Sequence, residues 1–322
     1  MLGVAVAVSI PLVLGFLKEL HPAFDSFAHF RAHLAVLLAL AALPLLLTRL
    51  RMQGLAAIAL GVGALTAALG APALQFSAAS EAGAAPSAAD GPVYRLLHMN
   101  LRFDNPTPEK ALSMIGRTQP DVIALNEVSA MWREKLRLLS ARYPHGIVCP
   151  APRGDVAILS RRPLSASREP RCFENGSLGI AAIDFGGASV DIAALHLKWP
   201  WPFGQPRQLT RLSAPLGSLA QTALLTGDFN AAPWSAATAR VARAGGFDHV
   251  ARIGPTWLDR RLPAALRPVI GLPIDQALSK GGVTIRSAER LDPAGSDHLP
   301  VLVEFSAATG NEPAVLQARI RR

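Results

Sequence analysis

The first 75 residues hold three long apolar runs, and this crowding limits what the chain can fold into more than any other feature. Met1 to Leu17 is nearly all apolar, Leu34 to Leu47 is a second run, and Leu55 to Leu74 is a third of twenty residues. Twenty residues at ~1.5 Å each span the ~30 Å hydrocarbon layer of a bilayer. The pattern reads as a membrane region of about three transmembrane helices over residues 1–75. A cleaved signal peptide is the alternative for the first run, but no basic residue stands ahead of it and no small-residue cleavage site precedes Lys18. The second run is short unless His33 and Leu50 extend it, so two spans plus an interfacial helix is the rival arrangement.

Loop charge gives an orientation. Arg49 and Arg51 follow the second run, whereas Lys18 and Arg31 in the first loop are balanced by Glu19 and Asp25. Positive-inside logic places the arginine pair in the cytoplasm. Three spans then send the rest of the chain to the extracytoplasmic side of a bacterial inner membrane. Cys149 and Cys172, the only cysteines, fall in that part; an oxidising compartment would permit them to pair, and two separate buried thiols is the equal alternative. In the first loop His21, Asp25, His29 and His33 recur every four residues, a spacing that can put ligands on one helix face. Pro22 interrupts the set, and amphipathic solvent contacts are the expected role.

Residues 76–92, rich in Ala, Ser, Gly and Pro, read as a flexible linker. A second domain is expected over residues 93–306, followed by a basic tail over 307–322. Residues 1–92 carry four basic and four acidic side chains, so the whole net charge of +9 belongs to residues 93–322. A basic domain favours an anionic partner: nucleic acid, phospholipid headgroups or the bilayer surface. No protein partner is implied. Strand-like runs occur at 93–99, 122–125, 156–159, 180–185, 190–197, 223–225, 274–278, 283–288 and 301–305. Helical patterns lie between several of them, at 108–117 with Thr107 as cap, at 130–140 and at 205–219. Such alternation predicts an α/β domain with helix-covered sheets.

Polar clusters interrupt or end these runs: Asn100, Asn126-Glu127, His196, Gly227-Asp228-Phe229-Asn230 and Ser296-Asp297-His298. Such side chains do nothing for an apolar core, so their recurrence at strand ends points to one shared cleft. Asp228 and Asn230 are two apart and share a face if strand geometry continues through them. An Asp can orient or deprotonate water, and an Asn amide can hold a phosphoryl oxygen without adding negative charge. His298 can balance charge on a phosphoryl group, with Asp275 as the acid that fixes its tautomer. Glu127 and Asn100 form an oxygen-donor pair suited to Mg²⁺ or Mn²⁺. His196 either contacts phosphate or is a satisfied core histidine.

The order Asn100, Asn126-Glu127, Gly154 to Arg161, His196, Gly227 to Asn230, Thr256-Trp257, Ile274-Asp275 and Ser296 to His298 resembles the endonuclease/exonuclease/phosphatase (DNase I-like) superfamily in a membrane-anchored bacterial form. That resemblance implies a four-layer α/β/β/α sandwich, two packed mixed sheets flanked by helices, with a divalent-metal phosphohydrolase site at one edge. By position, Glu127, Asn100 and Asp297 match the metal-binding group. Asp228, Asn230, His298, Asp275 and His196 match the groups that handle water and phosphate. Asn126 departs from the pattern, since many members carry Gln there. The implied activity is in-line attack of water on a phosphodiester, in nucleic acid or in a phospholipid headgroup. A catalytically silent domain that binds a phosphate ligand is the alternative, against which stands retention of every acidic and histidine candidate. The loop Lys198-Trp199-Pro200-Trp201-Pro202-Phe203 supplies rings that can dip into a bilayer interface, stack on bases, or pack as a lid.

Overall fold

Runs such as Val122-Ile123-Ala124-Leu125 and Ile192-Ala193-Ala194-Leu195 are apolar at consecutive positions, so strands made of them need cover on both faces. The computed structural model, which describes residues 1–83, 91–150 and 155–308, supplies that cover as two six-stranded sheets packed face to face. The first sheet contains β1 (Val93–Asn100), β2 (Val122–Val128), β3 (His145–Cys149), β4 (Asp155–Ser160), β11 (Val283–Arg290) and β12 (Val301–Ala307), in the order β11-β12-β1-β2-β4-β3. The second contains β5 (Arg171–Phe173), β6 (Leu178–Asp184), β7 (Ser189–His196), β8 (Ala223–Asp228), β9 (His249–Val250) and β10 (Asp275–Lys280), in the order β5-β6-β7-β8-β10-β9. Both sheets are mixed: β1–β2 and β7–β8 are parallel, and the other pairs are antiparallel.

Leu96, Ala124, Ile158, Ile192, Leu224 and Phe305 fill the layer between the sheets. Leucines at three- and four-residue spacing, Leu209, Leu212 and Leu216, cover the outer face of the second sheet from α7 (Gln205–Gly217), beside Val241 of α8 (Ala236–Gly245). On the other side α5 (Pro108–Thr118) and α6 (Ala130–Leu136) cover the first sheet with Ala111, Ile115 and Trp132. This is the four-layer sandwich. Thr107 holds the position ahead of α5 but makes no capping side-chain bond. Strands β3, β5 and β9 lie outside the expected set. Each sits at the edge of its sheet and is short and half-exposed, so little apolar patterning is needed. Cys149 of β3 and Cys172 of β5 are disulfide-bonded, which ties the two edges together.

The apolar front of the chain forms α1 (Leu2–Phe16), α2 (Pro22–Ala28), α3 (Arg31–Ala42) with a 3-10 extension over Leu43–Leu47, and α4 (Arg51–Gly83). Arg51–Ala68 is long and apolar enough to cross a membrane. α2 and α3 with its extension meet that test only as a pair bent by 66°, and α1 is shorter. One or two spans by this measure stand against the three expected. α4 runs on to Gly83, so residues 76–83 of the expected linker are helical, while 84–90, Gly154 and the tail from 309 lie outside the described residues.

In the corner between α1 and α3 the expected solvent contact holds for His21, which is exposed, but not for Asp25 and His29, which are buried. Asp25 accepts hydrogen bonds from the Ala236 and Ala237 amides at the start of α8, at 2.7 and 3.0 Å. Trp234 Nε1 donates to the Ala28 carbonyl at 2.8 Å, and Lys18 Nζ donates to the Trp234 carbonyl at 2.6 Å. A carboxylate at a helix N-terminus satisfies orphan amides and meets the positive end of the helix dipole. Asp25 of the four-residue repeat therefore joins the N-terminal helices to α8, with one amide on each of its oxygens.

Candidate active site

The ends of five strands converge in three pairs. β1 and β2 run parallel with Asn100 opposite Asn126, β7 and β8 run parallel with His196 opposite Asp228, and β8 and β10 pair with Asp228 opposite Asp275. Gly227 permits this pairing, because a Cβ there would collide with the Leu195 carbonyl of β7. His298 enters from the segment ahead of β12, where Trp257 bridges to it.

Asp228 Oδ2 is the meeting point. Asn100 Nδ2 donates to it at 3.0 Å, His298 Nε2 and His196 Nε2 each lie 3.6 Å away, and Asn230 Nδ2 lies at 3.4 Å. The Asp228 amide donates to Asn126 Oδ1 at 2.9 Å, so Asn126 positions the acid through its backbone. Strand geometry stops at Asp228. Asn230 adopts a left-handed φ of 47°, and its amide donates to Asp228 Oδ1 at 2.8 Å. The two side chains share the site through that turn and not through alternation along a strand.

Asp275 stands behind. Its Oδ2 lies 2.8 Å from His298 Nδ1 and its Oδ1 lies 2.9 Å from His98 Nε2. Burial favours a neutral Asp275, but the charges of His298 and His98 and their hydrogen bonds overcome it and hold the carboxyl well below the usual carboxylate range. Burial acts against a charged His298 too; the Asp275 and Asp228 carboxylates outweigh it and push the imidazole up to about 10. Asp228, unlike Asp275, is raised: burial pushes it up, only partly opposed by His298. His98 lies outside the expected set. Its signal was its place two residues before Asn100 in an apolar run, hence on the same face of β1.

Glu127, the next-to-last residue of β2, has a left-handed φ of 60° and lies within the register shift between Leu125 and Val128 against β4. Its Oε1 accepts from Asn100 Nδ2 at 3.1 Å and its Oε2 from the Phe103 amide at 3.0 Å. Asn100 Oδ1 takes the Arg102 amide at 3.0 Å, which turns Nδ2 toward both acids. Asp297 is held at the rim by Trp257 Nε1 at 3.1 Å. Of the expected residues, Asn100, Glu127, His196, Asp228, Asn230, Asp275 and His298 thus form one connected network, and Asp297 adjoins it through Trp257.

Residues 97–298 match the model of the Endonuclease/Exonuclease/phosphatase family, a span that takes in every residue of this network. The chain belongs to that family. Among solved structures, the family protein from Bacteroides vulgatus is 17% identical, with 67% of this chain and 100% of that one covered at a TM-score of 0.55. Beta toxin from Staphylococcus aureus, a mutant with bound magnesium ions, is 13% identical over 67% of this chain and 100% of its own, TM-score 0.52. The human Nocturnin catalytic domain with bound sulfate is 21% identical over 68% and 96%, TM-score 0.51. Among curated proteins none matches the chain.

Divalent metals are used within the family, and the donor chemistry here fits one. Glu127 is a half-buried carboxylate held by only one donor on each oxygen, which leaves lone pairs for a hard cation, and Asp297 adds a second carboxylate at the rim. Asp228, Asp275 and His298 also bring ligand atoms within 4.8 Å of one another. Asp275 is fully buried and both its oxygens face imidazole nitrogens, so that trio is better suited to holding and moving charge than to coordinating a hydrated cation.

Proposed function

We propose that the chain is a divalent-cation-dependent phosphodiesterase held at a bacterial inner membrane by its N-terminal helices, with the catalytic domain on the extracytoplasmic side. The observation that carries the reaction is the crowding of Asp228 Oδ2 by the Asn100 amide and two imidazoles, with Asp275 behind one of them. Both ring nitrogens of His298 face carboxylate oxygens, an arrangement that favours an imidazolium donating from each. His298 then stabilises negative charge on the phosphoryl group, and Asp228 orients and deprotonates the attacking water. Asn230 and His196 hold phosphoryl oxygens at the same rim. Glu127 and Asp297, with Asn100 beside them, would hold Mg²⁺ or Mn²⁺, which when bound would supply positive charge toward the phosphoryl oxygens.

Support for the compartment comes from the bonded Cys149 and Cys172, the arginines after the second apolar run, and the apolar helix Arg51–Ala68. The substrate is a phosphodiester of a nucleic acid or of a phospholipid headgroup. The test is a panel of DNA, RNA, phospholipid and nucleotide substrates with the purified full chain in Mg²⁺, Mn²⁺ or chelator. Metal-dependent release from at least one diester is expected. No release from any of them, with retained phosphate-ligand binding, would leave a silent binding domain as the function.

A further inference from the structure

An apolar groove of about 210 Å³ opens beside the active site, and its two walls come from different parts of the chain. One wall is the α2–α3 corner, with Ser26, His29 and Phe30; the other is the aromatic loop with Trp199, Trp201 and Phe203. Its floor reaches the catalytic network through Asn230, Trp257 and Ile274, the residue before Asp275. Ser26 Oγ donates to the Trp201 carbonyl at 2.9 Å and the His21 ring packs edge-on against Trp201, so the walls are fastened together. Trp199, Trp201 and Phe203 remain exposed.

Among the described residues no Lys or Arg lines the groove, although the domain as a whole is basic. A track for single-stranded nucleic acid combines stacking rings with positive charge along the backbone, and the described lining of this groove has the rings without the charge, Lys198 of the same loop standing outside it. The volume lies below the ~300–1,000 Å³ of pockets that enclose a whole drug-sized ligand, so it suits a portion of a chain. One polar group is left over. His29 is 3% exposed, its Nδ1 receives the Ala232 amide at 3.5 Å, and its Nε2 has no partner among the described residues. With Nδ1 accepting, Nε2 carries the proton and is a donor seeking an acceptor. Phe30, in the groove wall, is the residue ahead of α3, and the neighbouring helices α1 and α3 leave Val13, Phe16 and Leu37 exposed.

We propose that this groove receives an apolar chain of a membrane phospholipid whose phosphate lies at the Asp228–His298 rim, with His29 Nε2 donating to the carbonyl or hydroxyl oxygen between chain and headgroup. The proposal rests on the phosphodiesterase reading and narrows its substrate to a membrane lipid. The membrane segment then does more than tether: it supplies half of the substrate site.

Two measurements on the full chain in phosphatidylcholine/phosphatidylglycerol nanodiscs test this. In the first, a phosphatidylcholine with a diazirine on its acyl chain is photolysed and adducts are mapped by mass spectrometry. Adducts at 26–30 and 199–203 are expected, and Trp199→Glu should reduce them fivefold or more relative to adducts on α4. In the second, kcat/KM is compared for dioleoyl phospholipids, bis(4-nitrophenyl) phosphate and single-stranded DNA. The lipid should lead by tenfold or more, and His29→Leu should lower the ratio of lipid to soluble diester by about tenfold. Adducts confined to the outward faces of α1, α3 and α4, or DNA preferred over lipid, would overturn the proposal while leaving the phosphodiesterase reading intact. Adducts in the groove with no diester cleaved would support the lipid site and remove the hydrolase.

Discussion

Asp228 and Asp275 stand directly opposite each other across the β8–β10 pair, and His298 touches both, Nε2 at 3.6 Å from one and Nδ1 at 2.8 Å from the other. Two facing carboxylates repel unless a cation divides them. His298 is that cation. His298→Gln keeps hydrogen-bonding atoms but removes the charge, and kcat on any cleaved diester should fall by ~10²–10⁴ with the circular dichroism spectrum retained. Unchanged kcat would place the charge outside the chemistry.

The same imidazole makes stability depend on pH. Its folded value of about 10 lies above the ordinary value of 6.5, so its protonated form stabilises the fold. That contribution is complete below about 6.5 and is lost progressively as pH rises toward about 10. In chelator, the thermal midpoint should decline across this interval, and His298→Gln should flatten the slope. Asp275, held low, acts with opposite direction: its contribution is present above the ordinary carboxylate value and is lost as acid protonates it.

Among the described residues, His98 and His298 are the two side chains that meet the buried Asp275 oxygens. His98→Leu leaves one carboxylate oxygen without a donor and should destabilise the domain by ~1–3 kcal/mol, read from denaturant unfolding. A cost below ~0.5 kcal/mol would mean that water replaces the imidazole freely.

Asp25 caps α8 from another region of the chain. Asp25→Ala should loosen the docking by ~0.5–2 kcal/mol, the usual worth of a cap, and speed hydrogen exchange at the Ala236 and Ala237 amides. Exchange at α5, which lies on the opposite face, should stay as it was.

Cys172→Ser opens the link between β3 and β5, which closes a sequence separation of 23 residues. In the chain-entropy account this costs about 3 kcal/mol. A fall in the thermal midpoint that reductant reproduces in the parent chain, and does not add to in the variant, is the expected result.

Much of the fold and the site is legible in the sequence. The long apolar strands and the helices at 108–118 and 205–217 follow from burial periodicity, and the acids and histidines at strand ends stand out because they spoil apolar runs. What periodicity cannot show is pairing across distant segments. Asp25 and His29 look like surface residues until α8 arrives to meet them, 211 residues later for the Asp25–Ala236 bond. His98 is hidden by its apolar neighbours, and Asn126 gives no hint that it holds the Asp228 amide. The disulfide joins strands too short and exposed to announce themselves, so its geometry stays open until the two sheet edges are placed.

The docking of Lys18, Asp25 and Ala28 onto Trp234 and α8 has a consequence for how this chain can be divided. A fragment beginning at Val93 would expose the α8 amides that Asp25 covers and leave one side of the aromatic loop bare. A foreign membrane helix grafted in place of residues 1–83 would supply neither the cap nor the wall. The N-terminal helices and the sandwich are therefore not interchangeable modules joined by a tether; a change in one must be answered by the surface of the other.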